Sequence, residues 1–209
     1  MRLNGSIALF QYWNRLRDGR PAPRRNEIEP ADIRALLADT FILEKDTRGE
    51  AVFRLAGTRL CASYGRELKG FSFPSLWRER DRRVVARLVQ EVFDRKSLVL
   101  VSFEGISLAG RSANFELLVL PLDGGTSHPR CLGVASTADR PFWLGSDPIV
   151  DAVIDAVRTV DPNEKTAARV EIAVPALDPS EPGAPQAIED YGRARRIRHL
   201  LVLDGGREE

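Results

Sequence analysis

The apolar residues of this chain change their period several times between the first residue and residue 140. Ile7, Leu9, Phe10, Trp13 and Leu16 fall on one helical stripe, with Ser6 available as an N-cap and Gly19 as a stop. That spacing predicts an amphipathic helix ahead of the main core. RPAPRRNEIEP then breaks every period with proline, and Pro30 in a first helical turn predicts a second helix whose Ile33, Leu36 and Leu37 share a face. FILEKD and VFRLAG, on either side of Arg48-Gly49, read as two strands joined by a tight turn.

The strongest helical period lies in WRERDRRVVARLVQEVFDRK, where Val84, Val85, Leu88, Val89, Val92 and Phe93 recur at helix spacing with charges on the other side. LVLVSFEGISL, NFELLVLPL and CLGVAST follow, rich in branched and aromatic residues and separated by the turn-forming AGRSA and DGGTSHP, which predicts three consecutive antiparallel strands. Beyond Asp139 the text changes: DPIVDAVIDAVRTV reads as a further helix and PALDPSEPGAPQAIED as linker. The pattern therefore predicts an α+β fold, a sheet of about five antiparallel strands with helices on one face. Its expected divisions are an N-terminal helical extension over 1–39, the sheet domain over 40–140, and a C-terminal extension, partly linker, over 141–209.

Composition narrows the picture further. At 209 residues, with 43% hydrophobic and 29% charged residues, the chain has material for one real core plus extensions. Thirty-one basic against 30 acidic residues leave +1, so overall charge offers no general attraction to nucleic acid or acidic membrane. Arginine dominates the bases, the lysines being Lys45, Lys69, Lys96 and Lys165, which fits a genomic base composition. Cys61 and Cys131 lack Cys-x-x-Cys spacing and form neither a metal quartet nor a disulfide framework, which fits a reducing cytoplasm. The first twenty residues meet Gln11 and Asn14 too soon for a signal peptide or a membrane span.

One stretch is punctuated with unusual care. In RLAGTRLCASYGRELKGFSFPSLW a strand ends at Gly57, Leu60 and Tyr64 stand one helical turn apart, Gly65 stops the turn, Leu68 returns to the core and Gly70 turns the chain again. This glycine and leucine spacing resembles the second strand and first helices of PAS sensor domains. YWNRLRDGRPAPRRNEIEPADIRALLADTFILE sharpens the likeness to a bacterial PAS-like family, common in alphaproteobacteria, with a Tyr-Trp helix and a Gly-Arg-x-x-Pro-x-Arg linker. The resemblance covers about residues 9 to 140, and RARRIRHLLVLDGG in the tail is similar too. It implies a five-stranded antiparallel sheet whose concave face, with the helices, encloses a small pocket, and it names no ligand.

Candidate chemistry is sparse. The histidines, His128 in a hairpin loop and His199 in the tail, are poorly placed for a haem ligand. Cys61 sits between leucine and alanine, unlike the polar setting of a flavin-type photosensor, and reads as a small packing residue. No triad, Walker lysine, dinucleotide fingerprint, paired-histidine metal motif or EF-hand is legible, so no catalytic residue, metal or cofactor is expected. The aromatic set of Phe53, Tyr64, Phe71, Phe73, Trp77, Phe103 and Phe115 is read as core packing or as the lining of a ligand cavity, with Arg54, Tyr64 and Asn114 as the polar groups that would orient a ligand. The stripe of Phe10, Trp13 and Leu16 either packs back on its own sheet or meets a second copy. Arg193, Arg195, Arg196 and Arg198 form a basic tail, read first as a solvated face and second as a contact for anions or nucleic acid.

The expectation is a cytoplasmic, stand-alone, non-catalytic PAS-like sensor or regulatory protein of bacterial signal transduction. It would bind a small metabolite or a partner protein, as a homodimer or with a signalling partner. The competing readings are a pure dimerisation module with a filled interior, and a nucleotide or nucleic-acid binder acting through the tail.

Overall fold

The computed structural model describes residues 1–124 and 129–160 and the backbone of a separate hairpin within 194–203. In chain order the main unit contains α1 (Asn4–Arg17), β1 (Thr40–Lys45), β2 (Ala51–Ala56), α2 (Thr58–Ser63), α3 (Glu79–Arg95), β3 (Leu98–Ser107), β4 (Ser112–Leu122), β5 (Arg130–Thr137) and β6 (Ile149–Val160). Every strand pair in the main unit is antiparallel, and the sheet runs β2-β1-β5-β4-β3-β6. The hairpin, β7 (Ala194–Ile197) and β8 (Leu200–Leu203), belongs to a second compact unit.

Strand alternation sends two sets of side chains to opposite faces. On the inner face Phe41, Phe53, Val101, Phe103, Phe115 and Ile154 meet α2, the short turn Phe73–Leu76 and α3. On the outer face Leu100, Leu118, Leu120, Leu132 and Val134 meet α1. Helices therefore cover both faces, where one covered face was expected. Trp13 of α1 is fully buried, and its indole N–H donates to the Pro121 carbonyl at 2.8 Å. Pro121 lies past the last β3–β4 pair, Val99 with Val119, so its missing N–H costs that ladder nothing.

Several expectations are corrected. DPIVDAVIDAVRTV forms strand β6 rather than a helix, so the sheet has six strands and the domain boundary placed at residue 140 falls inside the fold. Pro30–Ile33 and Leu37–Asp39 are single 3₁₀ turns, not one helix. α1 begins at Asn4 rather than after Ser6, which is buried within the helix. Its start is held by the buried carboxylate of Glu116, which accepts the amides of Arg2 at 2.9 Å and Leu3 at 3.2 Å. At the other end Asp18 and Gly19 take positive φ values of 45° and 75°, the left-handed stop the sequence anticipates at Gly19. Val84, assigned to the apolar stripe of α3, is exposed.

Candidate functional site

The punctuated stretch supplies the covering of the inner face. Gly57 precedes α2 with an ordinary φ of −69°, and what it provides is space: a Cβ there would stand 2.2 Å from the Leu37 carbonyl oxygen. Gly65 and Gly70, at φ 63° and 84°, make the left-handed turns after α2. Leu60, Tyr64 and Leu68 between them are all buried against the sheet.

After Gly70 the chain runs from one margin of the sheet to the other. The Gly70 amide donates to the Phe53 carbonyl at 2.7 Å and the Phe53 amide to the Phe71 carbonyl at 2.9 Å, so residues 70–72 flank the edge strand β2. Seven residues later the Arg78 amide donates to the Ala152 carbonyl of β6, the opposite edge strand, at 3.1 Å. Between these anchors Phe73, Leu76 and Trp77 descend into the core. The strap covers backbone groups that edge strands otherwise expose.

The descending rings complete a chain of contacts. Phe53 and Phe73 have centroids 5.5 Å apart, Phe73 and Trp77 6.1 Å, Trp77 and Phe103 4.9 Å, and Phe103 and Phe115 5.0 Å, all within the range of favourable ring pairs. Phe73, Trp77, Phe103 and Phe115, predicted as ligand-facing, thus pack on one another across the space between sheet and helices. Tyr64 is buried beside this group, and desolvation pushes its phenol well above the ordinary tyrosine range. The indole N–H of Trp77 is buried without a hydrogen-bond acceptor.

Three of the proposed ligand residues lie elsewhere. Arg54 is exposed and pairs with Glu44 at 3.3 Å. Alternation from the inward Phe53 turns Arg54 outward, and the bulge beside it, where Ile42 faces Leu55 and Leu43 faces Phe53, turns Leu55 outward as well. Asn114 alternates with the inward Ala113 and Phe115 and is exposed. Phe71 is also largely exposed, its ring under the Arg66 guanidinium at 4.7 Å. Of the interface set, Trp13 is corrected outright, since a side chain enclosed by its own sheet has no surface to offer a second copy; Phe10 and Leu16 are half-buried against the same cluster. Arg195 and Arg196 lie on strand β7, while Arg193, Arg198, His128 and His199 fall outside the described residues.

Both thiols are held toward the protonated form. Burial pushes the Cys61 thiol up, with the Glu67 carboxylate at 3.6 Å adding to the effect, and burial pushes Cys131 up further. Sequence reasoning missed Glu116 and the Asp39–Arg59 ion pair. Glu116 had left a signal, as the one charged residue in the run from Ala113 to Leu122.

An antiparallel sheet packed against short helices and one long helix fits the architecture of a PAS-type domain. The PAS domain family model matches residues 1–136, and the chain belongs to that family. No curated protein matches the sequence. Among solved structures, a substitution variant of RsLOV is similar at 18% identity, covering 53% of this chain and 68% of that one with a TM-score of 0.37. Among the described residues no helix is long and apolar enough to cross a membrane.

Proposed function

We propose that this protein is a non-catalytic regulatory module of bacterial signal transduction, in which a binding event biases the packing of residues 57–78 against the sheet. The observation that carries this reading is the way that segment is held. Backbone hydrogen bonds tie it to the sheet at Gly57, at Gly70 and Phe71, and at Arg78, and between these points it is secured by side chains, the Arg59–Asp39 ion pair and the rings of Phe73 and Trp77 among them. A segment fixed in this way has a second arrangement within reach of a ligand or partner that prefers it. Contact between the rings favours a partner protein over a ligand enclosed in the core.

A second reading has one observation in its favour: the unaccepted indole N–H of Trp77 would donate to a small metabolite that carries an acceptor into the ring cluster.

Native-state hydrogen exchange tests the first reading. Amides of residues 58–78 are expected to exchange through openings of lower free energy than those of β3 and β4. Exchange of the whole segment only through global unfolding would end the proposal. Native mass spectrometry separates the two readings: the partner reading expects the bare chain mass, whereas a retained small molecule that is lost on Trp77→Phe replaces it with the metabolite reading.

A further inference from the structure

We propose that the cleft bounded by the start of α1, the turn before β1, α2 and the far end of β5 binds a small organic carboxylate. This site lies outside the ring cluster, and the inference goes beyond the regulatory reading, holding or failing whatever the module signals to.

The cleft arises from unequal strand lengths. β1 begins with Thr40 opposite Val134, whereas β5 runs on to Thr137. Ala135, Ser136 and Thr137 keep Leu117, Glu116 and Phe115 of β4 on one side and have no strand on the other. That open margin lines a cleft of about 530 Å³, within the size range of small-molecule sites.

Its charge is lopsided. Arg2, Arg59 and Arg140 line it against a single lining carboxylate, Asp39, which is already engaged in an ion pair with Arg59. Arg2 and Arg140 are exposed, and neither guanidinium has an ion-pair partner among the described residues. The buried carboxylate of Glu116 behind the start of α1 is occupied by the Arg2 and Leu3 amides. The charge that would hold an anion comes from the arginine side chains.

The rest of the lining is mixed: Asn4, Ser63, Ser136 and Thr137 are polar, and Leu36, Leu60, Phe115 and Leu144 supply an apolar portion. Guanidinium groups recognise carboxylate and phosphate alike through paired N–H donors. An apolar wall adds affinity only for a ligand with a hydrocarbon body. The fitting class is an aryl- or alkyl-carboxylate rather than a free inorganic anion.

The test is an NMR-monitored titration of the full isotope-labelled chain with 4-phenylbutyrate. Saturable shifts are expected at the Ala135, Ser136 and Thr137 amides and at the Arg59 side chain. Arg2→Gln and Arg140→Gln should each weaken binding by on the order of tenfold, the loss of one charge-assisted contact. Arg83→Gln on the exposed face of α3 should leave it unchanged, and all three variants should keep the parent melting temperature. The neutral analogue 4-phenylbutanamide and inorganic phosphate should each bind at least tenfold more weakly, on the same scale. The proposal is overturned by the absence of saturable shifts at millimolar ligand, by equal affinity for the amide or for inorganic phosphate, or by affinity that neither cleft arginine variant changes.

Discussion

Gly57 and Gly70 look alike in the sequence and serve different physical ends. At Gly70 the backbone angle is the constraint, φ 84°, and a Cβ would meet nothing within 4 Å. At Gly57 the angle is ordinary and the space is missing, with the Leu37 and Ala38 carbonyl oxygens 2.2 and 2.4 Å from a Cβ position. Gly57→Ala is therefore expected to lower unfolding free energy by about 1–3 kcal/mol through forced backbone displacement, read from urea denaturation. Punctuation by glycine was legible in the sequence because a left-handed turn has a residue preference. Close approach of a carbonyl from residues 37–38 has none, and only the fold reveals it.

Cys131 makes a second residue-scale case. Burial raises its thiol pKa in the folded protein, whereas in the unfolded chain a thiol loses its proton near about pH 8.5. Above that pH the unfolded state binds fewer protons than the folded one, so stability falls as pH rises; below it the contribution is intact. Tyr64, shifted the same way by burial, adds to the loss from about pH 10 upward. The urea midpoint should therefore be level through neutral pH and decline above about pH 8.5. Cys131→Ala should be less stable throughout yet show a shallower decline between about pH 8.5 and 10.

At the scale of elements, β6 shows how a strand comes to read as a helix. Its buried residues Ile149, Ala152, Ile154 and Val157 are spaced by three, two and three positions. Two irregularities produce this: Ile106 pairs with Asp151 and Ser107 with Ile149, leaving Val150 over, while Ser102 pairs with Ala156 and Phe103 with Ile154, leaving Asp155 over. Each extra residue stretches an alternating pattern toward helical spacing. The regular strands β3, β4 and β5 carry no such insertions within their shared pairings, and their places were predictable. The bulge beside Arg54 has the same effect on Leu55, which strict alternation from Phe53 would bury and which is exposed.

The second irregularity also explains a buried charge. Beside the extra Asp155, the Ile154 amide donates to the carboxylate of Asp81 at 3.2 Å, which ties the first turn of α3 to β6. Asp81 is 5% exposed. Asp81→Ala would strand that amide in the interior, and a loss of about 1–3 kcal/mol is expected from chemical denaturation. Asp81→Asn keeps an acceptor of the same shape and should recover part of it. α1 belongs to the same scale: its apolar stripe was legible from spacing, but spacing alone could not choose between its own sheet and a second copy. Enclosure of Trp13 decides for its own sheet.

Over residues 40–137 the element order, the antiparallel sheet and the aromatic cluster were visible beforehand because alternation, helical period and turn residues agreed there; outside that range the helix expected from Pro30 and the one expected after Asp139 were not found. The cleft beside β5 was not visible beforehand, since it depends on where β1 starts relative to where β5 stops. The strap from Gly70 to Arg78 supplies a test at this scale. Trp77→Leu removes the ring contact with Phe103 near the β6 margin, and it is expected to speed hydrogen exchange at the Gly70 and Phe53 amides beside β2. Amides of the intervening strand β1 should be unaffected. Unchanged exchange at Gly70 and Phe53 would mean that the two anchors act separately.

A ribbon fastened at opposite rims behaves like the string of a bow. On that expectation, slack introduced at one rim would be felt at the other without passing through the four inner strands, and two surfaces remote along the ladder, one beside β2 and one beside β6, would share a single mechanical state.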